Sequence, residues 1–231
     1  MFSSNLFSCV INNPDNCVIV NDYFIVPFGH RCASALACKC AGIRKFSLPF
    51  DWCIPLFPNK IQKVLENNFD DFIPDVYNGI FTNKYGFSLE HFNPDINSGV
   101  KEYKRRIERF NDIINQTKKI YFVYINEDYL YDDSYRQDEF NDNIFNEMLE
   151  LEKYIKDKYM NIDFNIFFFN FKQHNIPKNS NIVNFVLHCT NLYDNDTESH
   201  FDILRGFCGQ ILAHLFGTEP TGYYDYSVFI D

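Results

Sequence analysis

No stretch of the chain reaches the roughly 18 consecutive apolar residues that a membrane-spanning helix needs. Its first residues carry neither a basic n-region nor a long apolar h-region, so a cytoplasmic protein with no membrane partner is expected. Positive charge is also in short supply: 21 Lys and Arg against 31 Asp and Glu leave a net charge of −10. Neutralising phosphates requires a basic surface, and duplex nucleic acid is therefore not an expected partner. Paired metal ligands are missing as well. Cys38, Cys40 and Cys53 come nearest, but no second Cys pair and no His-x3–5-His follows, so no metal or other cofactor is expected. Nine glycines and nine prolines in 231 residues form no linker or repeat. One domain over 1–231 is expected, with residues 1–17 as an N-terminal extension of unassigned role.

Strand and helix patterns alternate along the chain. Residues 22–28 form an apolar run of strand length, and Ala33 to Ala41 read as a helix with Gly42 as its terminator. Asn59 is placed to cap a short helix over 60–66. Residues 69–98, broken by Pro74, Gly79, Gly86 and Pro94, read as an ordered loop with at most short strands. Tyr103, Ile107, Phe110 and Ile114 recur at helical spacing, which puts Lys104, Arg105, Arg106 and Arg109 on the outer face. Residues 119–125, 164–171 and 182–187 are strands by their β-branched and aromatic content. Helices are expected over 140–159 and from Thr197 or Ser199 to Gly217, and the tail, 223–230, adds an edge strand. The alternation predicts an α/β fold: a layered, mostly parallel sheet flanked by helices.

One stretch draws the chemistry together. Gly29, His30, Arg31 and Cys32 lie where the first long strand turns into the Ala-rich helix. Gly29 supplies the positive φ that such a turn often needs. Cys32 then falls in the first helical turn, where orphan N–H groups, the helix dipole and the neighbouring His30 and Arg31 favour a thiolate. The bland alternative is a packed cysteine, since free Cys is among the most buried residue types and this chain has eight. Ser47 to Pro55 is too proline-rich for regular structure. Within it Asp51, between Phe50 and Trp52, needs a partner if buried, and either orients a histidine or caps a turn. His91 is the first choice of general base, with His200 the runner-up and His188 third. Asn126, ending the 119–125 strand, is a candidate for orienting substrate or an oxyanion.

The same stretch carries a family resemblance. Gly29–Cys32, Cys40 to Trp52, Asn67 to Phe72, Tyr85 to His91 and Lys104 to Phe110 leading into Val123 resemble the DUF1796 family. That family is labelled as papain-like cysteine peptidases and is known from bacteria and large DNA viruses. The resemblance spans roughly residues 22–130. It implies a thiol hydrolase, in host cytoplasm if the chain is viral. In one departure, Val26-Pro27-Phe28-Gly29 replaces the family's apolar-Ser-Leu-Gly run. A cysteine closing the first strand of a parallel sheet is more like the nucleophile placement of Rossmann-like or SGNH-type hydrolases than like a true papain fold.

Three functions follow as expectations. The first is a cysteine-dependent hydrolase or acyl transferase: Cys32 attacks, His91 moves the proton, Asp51 orients the imidazole, and Asn126, His30 and Arg31 line the substrate and oxyanion site. Its partner would be a protein or a small acyl substrate. The second is a non-enzymatic intracellular binding module. The third is a nucleotide or sugar-phosphate enzyme with Arg31, Arg44 and Lys45 near phosphate. Oligomeric state leaves no mark in the sequence.

Overall fold

The structure is a computed structural model. It describes residues 2–3, 7–29, 31–54, 56–73, 82–89, 92, 95–116, 118–127, 137–189, 197–220 and 229–230. The first half of the chain forms β1 (Phe2–Ser3), β2 (Phe7–Ile11), β3 (Tyr23–Pro27), α1 (Ala33–Cys40), β4 (Cys53–Ile54), α2 (Pro58–Glu66) and β5 (Ser88–Leu89). The second half forms α3 (Ile96–Ile114), β6 (Lys119–Ile125), α4 (Gln137–Lys158), β7 (Phe164–Asn170), β8 (Ile182–Cys189), α5 (Thr197–Phe216) and β9 (Phe229–Ile230).

Among the described residues seven strands make one sheet in the order β3-β6-β7-β8-β2-β1-β9, and β4 pairs with β5 in a separate ribbon. The run from β3 to β8 is parallel. The N-terminal residues without an assigned role supply β2, which extends the sheet antiparallel to β8 from Phe7↔Cys189 to Ile11↔Phe185. Every position of β7 is buried, as are all but the first of β6. A parallel sheet covered on both faces requires strands that are apolar throughout rather than alternating.

Successive residues face opposite layers, as the strand period of two demands. Val26, Phe122 and Phe168 pack under α2, α3 and α4 with Val64, Phe110 and Met148. Ile25, Val123 and Phe167 pack under α1 and α5 with Ala37, Cys208 and Ile211. The result is a three-layer α/β/α fold, a layered and mostly parallel sheet flanked by helices. Cys32 stands at the N-cap of a short helix beyond a parallel strand, one position before the first helical turn, rather than on a long helix facing an antiparallel sheet.

Local details depart from expectation in three places. Phe57, not Asn59, occupies the cap of α2, with Pro58 in the first turn. Asn59 instead donates through Nδ2 to Glu147 Oε1 on α4 at 2.7 Å. Proline fits the first helical position because its missing N–H would be unpaired there anyway. Arg106 is not on the outer face of α3: it is 5% exposed, its guanidinium lies 4.6 Å from the Tyr103 ring, and it pairs with Glu102. Positive φ falls on Arg31 (53°) rather than Gly29, while Gly42 (70°) and Gly217 (62°) take it as expected.

Candidate functional site

The turn from β3 into α1 is set by close packing. A Cβ on Gly29 would lie 1.8 Å from Ser34 Oγ and 2.5 Å from Ser34 Cβ, so this position admits no side chain. Ser34 Oγ accepts the Ile125 N–H at 3.0 Å, tying the first turn of α1 to the end of β6. Arg31 takes the left-handed conformation, a strain of order 1–3 kcal/mol for a residue other than glycine. Cys32 then occupies the N-cap position with φ −93° and ψ −2° and makes no side-chain cap hydrogen bond. Cys32 as a residue is half-buried and is a free thiol.

Charged groups from two distant elements act on that sulfur. Glu127, just beyond β6, is wholly buried. Arg205 on α5 grips it with Nε to Oε2 at 2.8 Å and Nη2 to Oε1 at 3.0 Å. Burial pushes the Cys32 thiol above its ordinary pKa, Arg205 draws it back and Glu127 pushes it further. The expected thiolate-favouring turn is therefore opposed: burial and Glu127 together outweigh the pull of Arg205, a backbone N–H and Arg31. His30 lies outside the described residues.

The loop carrying Asp51 is clamped to the core through Phe50. That ring sits 5.4 Å from Phe28, 5.5 Å from Phe69 and 5.8 Å from Phe110, and burying it contributes about 1.5–3 kcal/mol. Asp51 is 1% exposed. Its Oδ2 accepts from Arg44 Nη2 and from the Leu48 N–H, so it caps that turn and pairs with a cation. Its Oδ1 accepts no hydrogen bond among the described residues. Burial pushes the carboxyl up, against the pull of Arg44.

The β4–β5 ribbon links this loop to the cysteine turn. Cys53 pairs with Leu89 on one side and bridges Arg31 on the other, accepting the Arg31 N–H at 3.0 Å. Three backbones thus run side by side, and two spacings of about 4.8 Å put Leu89 roughly 10 Å from Arg31. Leu89 precedes His91 by two residues; His91 itself lies outside the described residues.

At the carboxyl ends of β6 and β7 the structure builds an amide network that the sequence reading did not foresee. Asn126 is 1% exposed, and its Nδ2 donates to Asn170 Oδ1 at 3.1 Å. Asn170 meets His174 Nε2 at 2.8 Å. His174 stacks on Phe145 at 4.1 Å. Glu127, Asn170, His174 and Arg205 were the residues missed. A polar residue closing an apolar strand was the available signal for Asn170, as it was for Asn126; nothing local marks the other three. Of the alternative bases, His200 is buried on α5 and His188 is exposed at the end of β8.

The cations of the phosphate reading are dispersed. Arg44 is committed to Asp51 and Ser47. Lys45 Nζ lies 5.6 Å from the Tyr23 ring, at the amino end of β3 and away from the helix start. Among the described residues, no three His, Cys, Asp or Glu side chains gather as metal ligands, and no helix is long and apolar enough to cross a membrane. All eight cysteines are free thiols.

A sequence model of the family described as "Putative papain-like cysteine peptidase (DUF1796)" matches residues 23–78. The match includes Cys32 and Asp51 and ends before His91 and Asn126. No curated protein and no solved structure matches the chain at a significant level.

Proposed function

Taking the family match over residues 23–78 as premise, we propose that the chain is a cysteine-dependent hydrolase or acyl transferase with Cys32 as nucleophile. The Cys32 sulfur attacks a carbonyl carbon and forms the C–S bond while His91 takes the thiol proton. The C–N or C–O bond then breaks, and His91 returns that proton to the leaving group. Water or an acceptor nucleophile resolves the thioester and restores the thiol. The orphan N–H groups at the start of α1 hold the oxyanion, with Asn126, His30 and Arg31 around the substrate. Asp51 Oδ1, a buried acceptor with no partner among the described residues, is the group to receive the second imidazole N–H. Peptide, isopeptide and ester substrates share this step. A cytoplasmic setting fits a chain whose cysteines are all free.

The observation that carries the reading is the side-by-side run of Arg31, Cys53 and Leu89. It brings the chain to within about 10 Å of the cysteine turn two residues before the histidine. The rise in the Cys32 pKa with burial favours a second reading, a binding module in which this thiol only packs. Competitive alkylation of the native chain separates the two. The hydrolase requires Cys32 to react fastest at neutral pH, a rate that falls in His91→Ala, and a Cys32-linked acyl adduct by mass spectrometry with an activated ester. Protection of Cys32 until denaturation leaves the binding module.

A further inference from the structure

A chain of bonds that reaches the Asn126 amide takes its polarity from a backbone N–H. The Phe171 N–H can only donate, and it does so to Asn170 Oδ1 at 2.9 Å. That identifies the oxygen of Asn170 and directs its Nδ2 at His174 Nε2, 2.8 Å away. An amide nitrogen only donates, so Nε2 must accept, and the ring proton of a neutral His174 sits on Nδ1. Nδ1 in turn faces Asp142 Oδ1 at 3.6 Å. Asn170 Oδ1 also receives Asn126 Nδ2 at 3.1 Å, which fixes which end of the Asn126 amide points inward.

We propose that His174 is a positioning residue for Asn126: as the Nδ1–H tautomer it holds Asn170, and through it the Asn126 amide, in one orientation at the carboxyl edge of the sheet. Adding a proton to Nε2 sets two donors against each other. Asn170 can then keep His174 only by turning its amide over, which confronts the Phe171 N–H and the Asn126 Nδ2 with a second NH2 group. The ring has little room to move, since it is 7% exposed and lies at 7° to the Phe145 ring. Among the described residues, the charged groups facing it are Asp142 from α4 and Lys172 from the connector after β7. Lys172 Nζ donates to Asp142 Oδ2 at 2.9 Å and shares that carboxylate. The sheet contributes Asn170 and the segment after β2 contributes Asn12, whose Nδ2 donates to the His174 carbonyl; neither titrates.

The link to activity rests on Asn126 belonging to the proposed site, but the relay can be read without it. Long-range 1H–15N spectra of the full chain should show His174 as the Nδ1–H tautomer at pH 7.5. The Asn126 side-chain NH2 signals, identified by their loss in Asn126→Asp, should shift on acidification with the same midpoint as the imidazole. His174→Gln retains an acceptor and should leave those signals near their wild-type positions, while His174→Leu displaces them. An Nε2–H tautomer, or Asn126 signals indifferent to His174, overturns the relay, and the wild-type spectra decide if His174→Leu does not fold. A relay that behaves as expected beside an inert Cys32 sinks the hydrolase alone. A reactive Cys32 with an indifferent Asn126 sinks the relay alone.

Discussion

Arg205 meets Glu127 across 78 residues of sequence in a two-pronged pair, Nε to Oε2 and Nη2 to Oε1. Glu127 is wholly buried while the Arg205 side chain keeps 15% exposure, so the carboxylate has no water as an alternative partner. Breaking such a pair from one side typically costs about 3–5 kcal/mol, because the remaining charge stays buried. Arg205→Ala should therefore lower stability by that order in denaturant titration. Arg205→Lys should lose less, since it keeps the charge but not the fork. Arg205 also draws the Cys32 thiol down, so in Arg205→Lys and any folded Arg205→Ala the midpoint of Cys32 alkylation against pH should move up or stay, never fall.

The contact of Gly29 with Ser34 makes a second prediction. Gly29→Ala puts a methyl where Ser34 Oγ and Cβ stand, and overpacking of this kind costs about 1–3 kcal/mol. Adding Ser34→Gly should recover only part of the loss in thermal melts, because the Ile125 N–H then loses its acceptor.

Thiol reactivity should divide the eight cysteines by burial. Desolvation pushes Cys9 up to about 12 and raises Cys38 and Cys208 strongly. Against a free thiol near 8.5, Cys9 holds on the order of a thousandfold less thiolate at neutral pH. Iodoacetamide followed by peptide mapping should find Cys9, Cys38 and Cys208 labelled only after unfolding. Cys32, half-buried, should react before them.

Stability should fall on mild acidification, and His174 is one cause. Burial lowers its pKa below the ordinary imidazole value, with Asp142 opposing and Lys172 assisting. The unfolded chain therefore takes up its proton first, at about pH 6.5, and stability is lost as pH falls from there through the folded pKa. Above the unfolded value the contribution is fully present. Urea midpoints measured between pH 7.5 and 5 should decline less steeply in His174→Gln; an unchanged slope would rule this out.

Much of the fold was legible because its signals are local. Strands 119–125 and 164–170 declare themselves by aromatic and β-branched content despite Lys119, Asn165 and Asn170, and the helix read over 100–115 declares itself by period. Gly42 and Gly217 end helices by a conformation that glycine adopts freely. The cysteine turn was legible in its position but not in its mechanics, since the left-handed residue is Arg31 and the steric demand on Gly29 comes from Ser34. Arg106 was assigned outward because charge predicts exposure; the Tyr103 ring and Glu102 cover it instead. Pairing of residues 7–11 with β8 could not be read, because a five-residue strand carries no record of a partner near the other end of the chain.

Composition, periodicity and turn residues by themselves determined the layered α/β class, the order of the longer elements from β3 to α5 and the seat of Cys32 at a strand-to-helix junction, because each depends on neighbours within a few residues. Only the tertiary structure decided which charges reach the sulfur, which carboxylate oxygen stays open and which imidazole holds the amides beyond the sheet. Glu127 and Arg205 reach Cys32 from remote parts of the chain, and Asn126 meets Asn170 across 44 residues; there Coulomb energy and hydrogen-bond polarity depend on packing that no local pattern encodes.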